Sequence, residues 1–184
     1  MDLNIANWIF DTFGSSKAIA TISKIITYLG NKWVIIAIVA LLLIFKKTRK
    51  VGFYALVTVA ITYGFNDFIL KNIVKRDRPF VANPELLQMI ELASYEIPDG
   101  YSMASGHSAV AMCLAVSVFM FHKKIGIGAI VAAVFVGVSR MMLCVHYLTD
   151  VLTGFALGIV FAIAIHYLLN YLLKLYVKKR GENK

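Results

Sequence analysis

Five long apolar runs dominate this sequence and restrict the folds that it can adopt. They carry almost no charge and are separated by short polar segments: Trp33–Phe45, Val51–Phe65, Ser108–Phe121, Ile125–Leu143 and Val151–Leu173. The chain is 60% hydrophobic and 16% charged, with a mean hydropathy of +0.76, which excludes an ordinary soluble domain. Some runs fall short of the ~20 residues that usually span a bilayer, but polar helix ends extend them into the interface. We therefore predict an all-α, polytopic transmembrane helical bundle that forms one domain over residues 1–184.

The first 30 residues are less apolar and leave the number of spans open at five or six. Ala18–Leu29 is interrupted by two polar residues, so it is either a short sixth span or a helix in the membrane interface. Asn4–Phe13 has an amphipathic pattern and is predicted to lie on the membrane, with Trp8, Ile9 and Phe13 as anchors. The N-terminus lacks the features of a cleavable signal peptide.

The formal charge of +9 would suit a nucleic-acid binder, but its distribution along the chain favours a membrane protein. Outside the polar motifs, Lys and Arg concentrate at 46–50, 123–124 and 178–180, which successive spans place on one membrane face. Because cytoplasmic loops tend to carry Lys and Arg, that face is predicted to be cytoplasmic. The long polar segment 75–104 then lies on the outer side, and no nucleic-acid partner is expected.

Three polar clusters lie at predicted helix ends on the face opposite the basic loops. They are Lys71-x6-Arg78-Pro79, Ser105-Gly106-His107 and Ser139-Arg140-x5-His146-x3-Asp150. Helices satisfy their own backbone hydrogen bonds in lipid, so two helical hairpins form a rigid scaffold that brings these ends together. Three cations, two histidines and a carboxylate are a set that can grip a phosphate group and attack its phosphorus.

The cations of these clusters are the predicted phosphate ligands. Arginine offers a planar fork of donors to two phosphate oxygens, and lysine adds a mobile point charge. Lys71, Arg78 and Arg140 are therefore predicted to bind phosphate. The alternative is that the basic residues reach towards lipid headgroups, and for Lys75 and Arg76 this alternative is favoured.

The second cluster opens an apolar helix. Ser105 is well placed as the N-cap, and Gly106 lets the backbone approach a ligand closely. The free N–H groups of a helix N-terminus attract anions, and His107 is positioned to donate a proton to a leaving oxygen. The alternative is an ordinary capped helix with an interfacial histidine.

The third cluster pairs a histidine with a carboxylate. His146 and Asp150 are four residues apart and share one face of a helix. The carboxylate can hold a proton on one ring nitrogen, which leaves the other free as a nucleophile. The alternative is a buried hydrogen bond that only stabilises the bundle. His122 and His166 are distant from the three clusters and receive no catalytic role.

No metal or cofactor is predicted. The acidic residues form no paired cluster, and the histidines are better used as nucleophile and acid. Cys113 and Cys144 fall within or at the end of apolar runs and suggest neither a disulfide nor a metal site.

The three clusters resemble the motifs of the type 2 phosphatidic acid phosphatase superfamily, which also includes vanadium haloperoxidases. That pattern reads K-x6-RP, PSGH and SR-x5-H-x3-D, and it matches residues 71 to 150 except that Ala104 replaces the proline. By this resemblance, His146 forms a phosphohistidine, Asp150 orients it and His107 protonates the leaving group. The resemblance also implies that five residues hold the phosphate oxygens without a metal: Lys71, Arg78, Ser105, Gly106 and Arg140.

The resemblance implies a metal-independent membrane lipid phosphatase, with undecaprenyl diphosphate favoured as the substrate. The alternatives are a phosphatidylglycerophosphate or phosphatidate phosphatase, and a lipid phosphotransferase that uses the same residues. A haloperoxidase is disfavoured by burial in the membrane. An anion transporter, the alternative from a different class, predicts charges along a path through the bundle, whereas here they gather at one face. The oligomeric state is left open.

Overall fold

Every apolar run of the sequence is helical in the computed structural model, which describes residues 1–182. The long helices are α1 (Asp2–Phe13), α2 (Lys17–Thr27), α3 (Lys32–Ile44), α4 (Arg49–Gly64), α8 (Gly106–Phe121), α9 (Lys123–Met142) and α10 (Leu148–Glu182). Three short helices lie between α4 and α8: α5 (Lys71–Val74), α6 (Pro79–Ala82) and α7 (Leu87–Leu92). Since residues 1–182 contain no β-strand and include several apolar candidate spans, the predicted all-α transmembrane bundle is confirmed.

Three helical segments are long and apolar enough to cross a membrane, at 49–82, 123–142 and 148–180. A fourth candidate is the pair formed by Lys17–Gly30 and Lys32–Ile44, whose axes differ by 45°. The run Ala18–Leu29 is thus the first leg of a bent pair with α3. Helix α8 is apolar but has only 16 residues, about 24 Å at 1.5 Å per residue. Within the described residues the structure therefore offers up to four candidate spans, with α8 as a shorter apolar helix beside them.

The N-terminal helix has a different role from the one its sequence suggests. Trp8 is 61% exposed, as a membrane anchor requires, but Ile9 is only 3% exposed. The Ile9 side chain belongs to an apolar cluster with Met89 of α7 and Leu143, which follows α9. The prediction that Ile9 anchors the chain in lipid is therefore wrong, because α1 uses this face to pack on the protein.

Helix α8 is the centre of the bundle and packs against α4, α9 and α10. Its residues from Ser108 to Ser117 are all buried, which explains why its sequence is apolar on every side. This central position places the N-terminus of α8, with the Ser105-Gly106-His107 cluster, beside the ends of α4, α9 and α10.

Two glycines on α10 allow α8 and α10 to approach closely. A Cβ at Gly154 would lie 2.7 Å from the carbonyl oxygen of Ser105. A Cβ at Gly158 would lie 2.6 Å from the carbonyl oxygen of Ala109 and 2.8 Å from the backbone nitrogen of Cys113. Small residues four apart are a common means of helix association in membranes, and here they hold Ser105 against α10.

Gly158→Ala is expected to destabilise the bundle by about 1–3 kcal/mol, because the added methyl meets backbone atoms that cannot turn away. Gly128→Ala in α9 is the matched control, since nothing lies within 4 Å of a Cβ there. Thermal unfolding in detergent should show a lower midpoint for Gly158→Ala and an unchanged or higher midpoint for Gly128→Ala. Equal midpoints would contradict the close contact between α8 and α10.

Candidate active site

Six of the eight predicted site residues line one cavity of about 220 Å³ at the ends of the helices. They are Lys71, Arg78, Gly106, His107, Arg140 and His146. The other two, Ser105 and Asp150, are fully buried behind the cavity wall. The structure thus brings residues from three distant motifs to one place.

Arg140 is the most deeply buried cation of the site, with 1% exposure. Its Nη1 donates to the hydroxyls of Thr27 and Tyr95, both at 2.8 Å, while its Nε has no partner. Among the described side chains it forms no ion pair with a carboxylate. A buried charge is stable only when it is compensated, so an incoming anion is its natural counter-ion.

Arg78 is held by backbone carbonyls. Its Nε and Nη2 donate to the carbonyl oxygens of Gly100 and Asp99 at 2.9 Å, and Nη1 donates to that of Val145 at 3.0 Å. Arg78 is 5% exposed and has no ion pair with a described carboxylate. Carbonyls fix its orientation and leave its full charge available to a ligand.

Lys71 differs from the two arginines because it has a carboxylate partner. Its Nζ lies 2.5 Å from Asp67 Oδ1, and both side chains are partly exposed to the cavity. Asp67 and the buried Asn66 belong to a π-helical segment, Phe65–Leu70, that continues α4. Such irregular turns often occur at functional sites, and this one brings Asp67 and Lys71 to the cavity wall.

The start of α8 forms another wall of the cavity. A Cβ at Gly106 would lie 3.5 Å from Asn66 Nδ2 and 3.6 Å from Asp67 Oδ2, which places this glycine in van der Waals range of both side chains. Ser105 is the N-cap of α8, and its Oγ accepts hydrogen bonds from the backbone nitrogen and hydroxyl of Ser108. The Ser105 hydroxyl is therefore engaged with its own helix, and its role towards phosphate stays a prediction.

His107 and His146 lie on the same cavity. The Nε2 atom of His107 is buried and has no hydrogen-bond partner among the described residues. The Nε2 atom of His146 lies 3.4 Å from Arg78 Nη1, and its Nδ1 atom lies 3.5 Å from Asp150 Oδ2. Because a guanidinium can only donate, the contact with Arg78 favours the tautomer with the lone pair on Nε2 and the proton on Nδ1. Nδ1 forms no hydrogen bond with the described residues, so Asp150 acts on it as a nearby charge in this structure. The lone pair of His146 thus faces the cationic cavity, as a nucleophile requires.

The ring of His146 is held neutral by its surroundings. It lies in the turn between α9 and α10 and is 4% exposed. Burial lowers the pKa of His146 well below its usual 6.5, and the positive charges of Arg140, Arg78 and Lys71 lower it further. The lone pair on Nε2 therefore persists at pH values where an ordinary histidine is largely protonated.

Arg76 has a role that its sequence position did not reveal. We expected it at the lipid headgroups, but its guanidinium donates to Asp150 Oδ1 at 2.8 Å and to Asp2 Oδ2 at 2.7 Å. Lys75 is exposed in a left-handed conformation at the end of α5. The headgroup interpretation is therefore wrong for Arg76. Its two partners lie 74 residues before and after it in the chain, so no local sequence pattern indicates these contacts.

The remaining candidates lie away from the cavity. His166 packs against the rings of Tyr54 and Phe121, 5.4 and 5.2 Å between centroids, and His122 ends α8 on the side of the basic loops. Cys113 and Cys144 are both free and buried. In the part of the chain that the structure describes, no group of three His, Cys, Asp or Glu residues is arranged to hold a metal ion.

Comparisons with known proteins agree with the motifs. The pattern of the PAP2 superfamily matches residues 51–174. An undecaprenyl-diphosphatase from Sulfolobus acidocaldarius is 33% identical over 144 residues, which are 76% of this chain and 67% of that protein. Phosphatidylglycerophosphatase B from Bacillus subtilis is 38% identical over 96 residues, 50% of this chain and 45% of that protein.

A third relative and a solved structure extend these matches. The bacitracin transport permease protein BcrC from Bacillus licheniformis is 29% identical over 138 residues, 72% of this chain and 65% of that protein. The chain thus spans about two thirds or less of these curated relatives. The crystal structure of a transmembrane PAP2 type phosphatidylglycerolphosphate phosphatase from Bacillus subtilis superposes with a TM-score of 0.71 at 26% identity. That likeness covers 92% of this chain and 85% of the other.

His146 is expected to remain neutral at pH 6.5, where an unperturbed histidine is about half protonated. Ring-nitrogen NMR of protein labelled with ¹⁵N-histidine measures this directly, with His146→Ala to assign the signal. Arg140→Gln should move the titration midpoint upwards by removing a positive charge, whereas Lys174→Gln, on the exposed part of α10, should not. A midpoint at or above 6.5 in the unmodified protein would contradict the assigned environment.

Proposed function

This chain belongs to the PAP2 superfamily, and we propose that it hydrolyses a polyprenyl diphosphate, undecaprenyl diphosphate, to the monophosphate. At the coarser level the protein is a membrane lipid phosphatase, because it belongs to this superfamily and two of its named relatives are phosphatases. One observation carries the chemistry: the lone pair of His146 faces a cavity where two buried arginines have no described carboxylate partner.

The reaction proceeds in two displacements. His146 Nε2 attacks the terminal phosphorus and the bond from phosphorus to the leaving oxygen breaks. His107 enters this step as the imidazolium ion, donates a proton to that oxygen and becomes neutral. His107 then removes a proton from water, whose oxygen attacks the phosphohistidine. The P–N bond breaks, inorganic phosphate leaves and His146 returns to its neutral form. Asp150 steadies the positive charge that His146 would otherwise carry alone.

The cations supply the electrostatic stabilisation. Arg78 and Arg140 are fixed before substrate arrives, so little reorganisation is needed as charge develops on the phosphoryl oxygens. Lys71 differs because it shares its charge with Asp67. A phosphate that binds Lys71 must compete with that carboxylate for the ammonium group. Lys71 therefore contributes less positive charge to phosphate binding than either arginine.

An apolar groove next to the cavity supports a lipid substrate. The groove has a volume of about 420 Å³ and lies between α3 and α4. It shares three residues with the phosphate cavity, Lys32, Tyr63 and Val110, so the two spaces adjoin. A substrate with its phosphate on the arginines can therefore extend an apolar tail between α3 and α4 into the bilayer.

The choice among lipids rests on the relatives. The undecaprenyl-diphosphatase matches 76% of this chain, which favours a polyprenyl diphosphate. Phosphatidylglycerophosphate is the second candidate, because the superposed crystal structure is that of a phosphatidylglycerolphosphate phosphatase. An anion transporter is disfavoured, because α8 from Val110 to Val116 is buried and apolar beyond the cavity, with no charged side chain to form a path.

The proposed orientation places the cavity on the outer side of the membrane. The basic loops at 46–50 and 123–124 lie near each other, since Lys50 is 5.6 Å from the ring of Phe121 at the end of α8. The motif residues lie at the opposite ends of the same helices. With the basic side in the cytoplasm, the substrate is a lipid of the outer leaflet.

Phosphate release from four lipids tests the substrate. Purified protein with a chelator present should give its highest kcat/KM with polyprenyl diphosphate, ahead of phosphatidylglycerophosphate, phosphatidate and lysophosphatidate. His146→Ala should release no phosphate from any of them. A preference for phosphatidylglycerophosphate would replace the proposed substrate, and loss of activity on chelation would contradict the metal-independent mechanism.

The same assay tests the groove through Ala60→Trp, which fills the space between α3 and α4. We expect KM for the long-chain substrate to rise about tenfold or more, while hydrolysis of soluble p-nitrophenyl phosphate is unchanged. Ile61→Trp is the matched control, because Ile61 is 41% exposed and does not line the groove. Equal effects of the two substitutions on KM would show that the groove does not bind the substrate.

Labelling of single cysteines in intact cells tests the orientation. Both native cysteines are buried and should react little. Lys47→Cys and Glu85→Cys introduce exposed thiols on the two proposed sides. A membrane-impermeant maleimide should label the cysteine at 85 at once and the cysteine at 47 only after permeabilisation. The reverse pattern would place the cavity in the cytoplasm and leave the catalytic assignment intact.

A further inference from the structure

The carboxylate of Asp150 is held by more than the histidine it faces. Its Oδ2 atom accepts from the backbone nitrogen of Tyr147 at 2.9 Å and lies 3.5 Å from His146 Nδ1. Its Oδ1 atom accepts from Arg76 Nη1 at 2.8 Å. Asp150 is fully buried, and among the described side chains Arg76 is its one permanently charged partner. Two contacts thus fix the carboxylate, the Tyr147 backbone nitrogen at Oδ2 and the Arg76 guanidinium at Oδ1.

Arg76 is itself fixed from a second direction. Its Nη1 donates to the Thr149 hydroxyl at 2.6 Å, and its Nη2 donates to Asp2 Oδ2 at 2.7 Å. The Thr149 hydroxyl also donates to Asp2 Oδ2. The guanidinium lies over the ring of Tyr147, 4.0 Å from its centroid. The planar fork thereby joins two carboxylates that are 148 positions apart in the chain, one on α1 and one on α10.

We infer that Arg76 is a positioning residue for the phosphohistidine reaction and that Asp2 makes the N-terminal helix part of the same apparatus. The order of contacts is Asp2, Arg76, Asp150 and His146, from the protein surface to the cavity. This inference rests on the proposed function for its consequence in catalysis. It goes beyond the motif residues, since Asp2 lies outside the motifs and Arg76 stands at one of the unspecified positions of the first.

The chemistry of the chain explains what Arg76 contributes. A buried carboxylate without a cation is unstable and takes up a proton or turns to another donor. Either change withdraws Oδ2 from Nδ1 of His146 and frees the ring to rotate. A lysine in place of Arg76 would keep the charge but could not bridge both carboxylates at once. The geometry of the fork is therefore as important as its charge.

The alternative is that these contacts only fasten α1 to the bundle. In that case their loss would lower stability and phosphate affinity together, and the environment of His146 would not change. A positioning role affects the rate of the chemical step, because Lys71, Arg78 and Arg140 still bind phosphate. The positioning role therefore predicts a lower kcat, whereas a purely structural role predicts lower stability and weaker phosphate binding.

The experiment compares Arg76→Ala, Arg76→Lys and Asp2→Ala with Lys75→Gln, a neighbouring exposed cation, as the matched control. Each protein carries its purification tag at the C-terminus, so that the surroundings of Asp2 are unchanged. Turnover of p-nitrophenyl phosphate gives kcat, competition by inorganic phosphate gives binding to the cavity, and ¹⁵N-histidine NMR reports Nδ1 of His146. Thermal unfolding of each variant reports stability.

We expect Arg76→Ala to lower kcat about 10- to 100-fold, as loss of an outer-shell partner commonly does, with phosphate inhibition within about twofold of the unmodified protein. Asp2→Ala should lower kcat by roughly 3- to 10-fold, because one partly exposed ion pair is weak. Adding Asp2→Ala to Arg76→Ala should cause no further loss, since both act through one contact. Arg76→Lys should recover part of the rate, and Lys75→Gln should match the unmodified protein.

The NMR readout separates this inference from the proposed function, because it needs no turnover. The His146 Nδ1 signal should shift in Arg76→Ala and Asp2→Ala and stay unchanged in Lys75→Gln. If the signal shifts while no phosphate ester is hydrolysed, the positioning contact stands and the proposed function fails. An unchanged His146 signal would overturn the positioning role. So would additive losses of kcat in the double variant that parallel the decrease in the unfolding midpoint.

Discussion

The site depends on two arginines that an apolar helical bundle buries without giving either a described carboxylate partner. Arg78 and Arg140 are 5% and 1% exposed, and their donors are satisfied only in part, by carbonyls and hydroxyls. Burying an uncompensated charge is costly, so the fold around them has to be rigid enough to keep them in place. The unpaired positive charges favour phosphate binding, because the substrate then supplies the missing counter-ion.

Rigidity comes from the close approach of α8 and α10. The glycines of α10 let the start of α8 rest directly on it, and the backbone nitrogen of Ser105 donates to the carbonyl oxygen of Asp150 at 3.0 Å. This single bond joins the second and third motifs at the level of the backbone. The carbonyl of Ala104, which precedes the second motif, accepts from Asn66 Nδ2 at 3.3 Å. Asn66 lies in the π-helical segment that leads into the first motif. The three motifs are thus fixed to one another as well as to their helices.

Much of this arrangement could be predicted because it is local in the sequence. Apolar runs of helical length predicted the bundle, and motif residues at the ends of those runs predicted a common cavity. The spacing of His146 and Asp150 predicted that the two side chains meet, and Nδ1 and Oδ2 lie 3.5 Å apart. The shared helix face on which that prediction rested is wrong, because α10 begins only at Leu148 and His146 reaches Asp150 from the turn before it.

What could not be predicted depends on contacts between distant segments. Arg140 is oriented by Thr27 and Tyr95, which are 113 and 45 residues away and belong to no motif. Ile9 faces the protein and not lipid because α1 finds an apolar surface on α7, and nothing in the pattern of α1 specifies which side is covered. The bend between α2 and α3 likewise leaves no signal, since both legs are apolar enough for the membrane.

The central claim is that His146 carries the phosphoryl group during turnover, and isolation of the phosphoenzyme measures this most directly. His107→Ala, incubated briefly with ³²P-labelled polyprenyl diphosphate and denatured in alkali, should retain label as phosphohistidine. Peptide mapping should locate that label at His146, and the additional substitution His146→Ala should abolish it. Label on any other residue, or unimpaired hydrolysis by His146→Ala, would contradict the account.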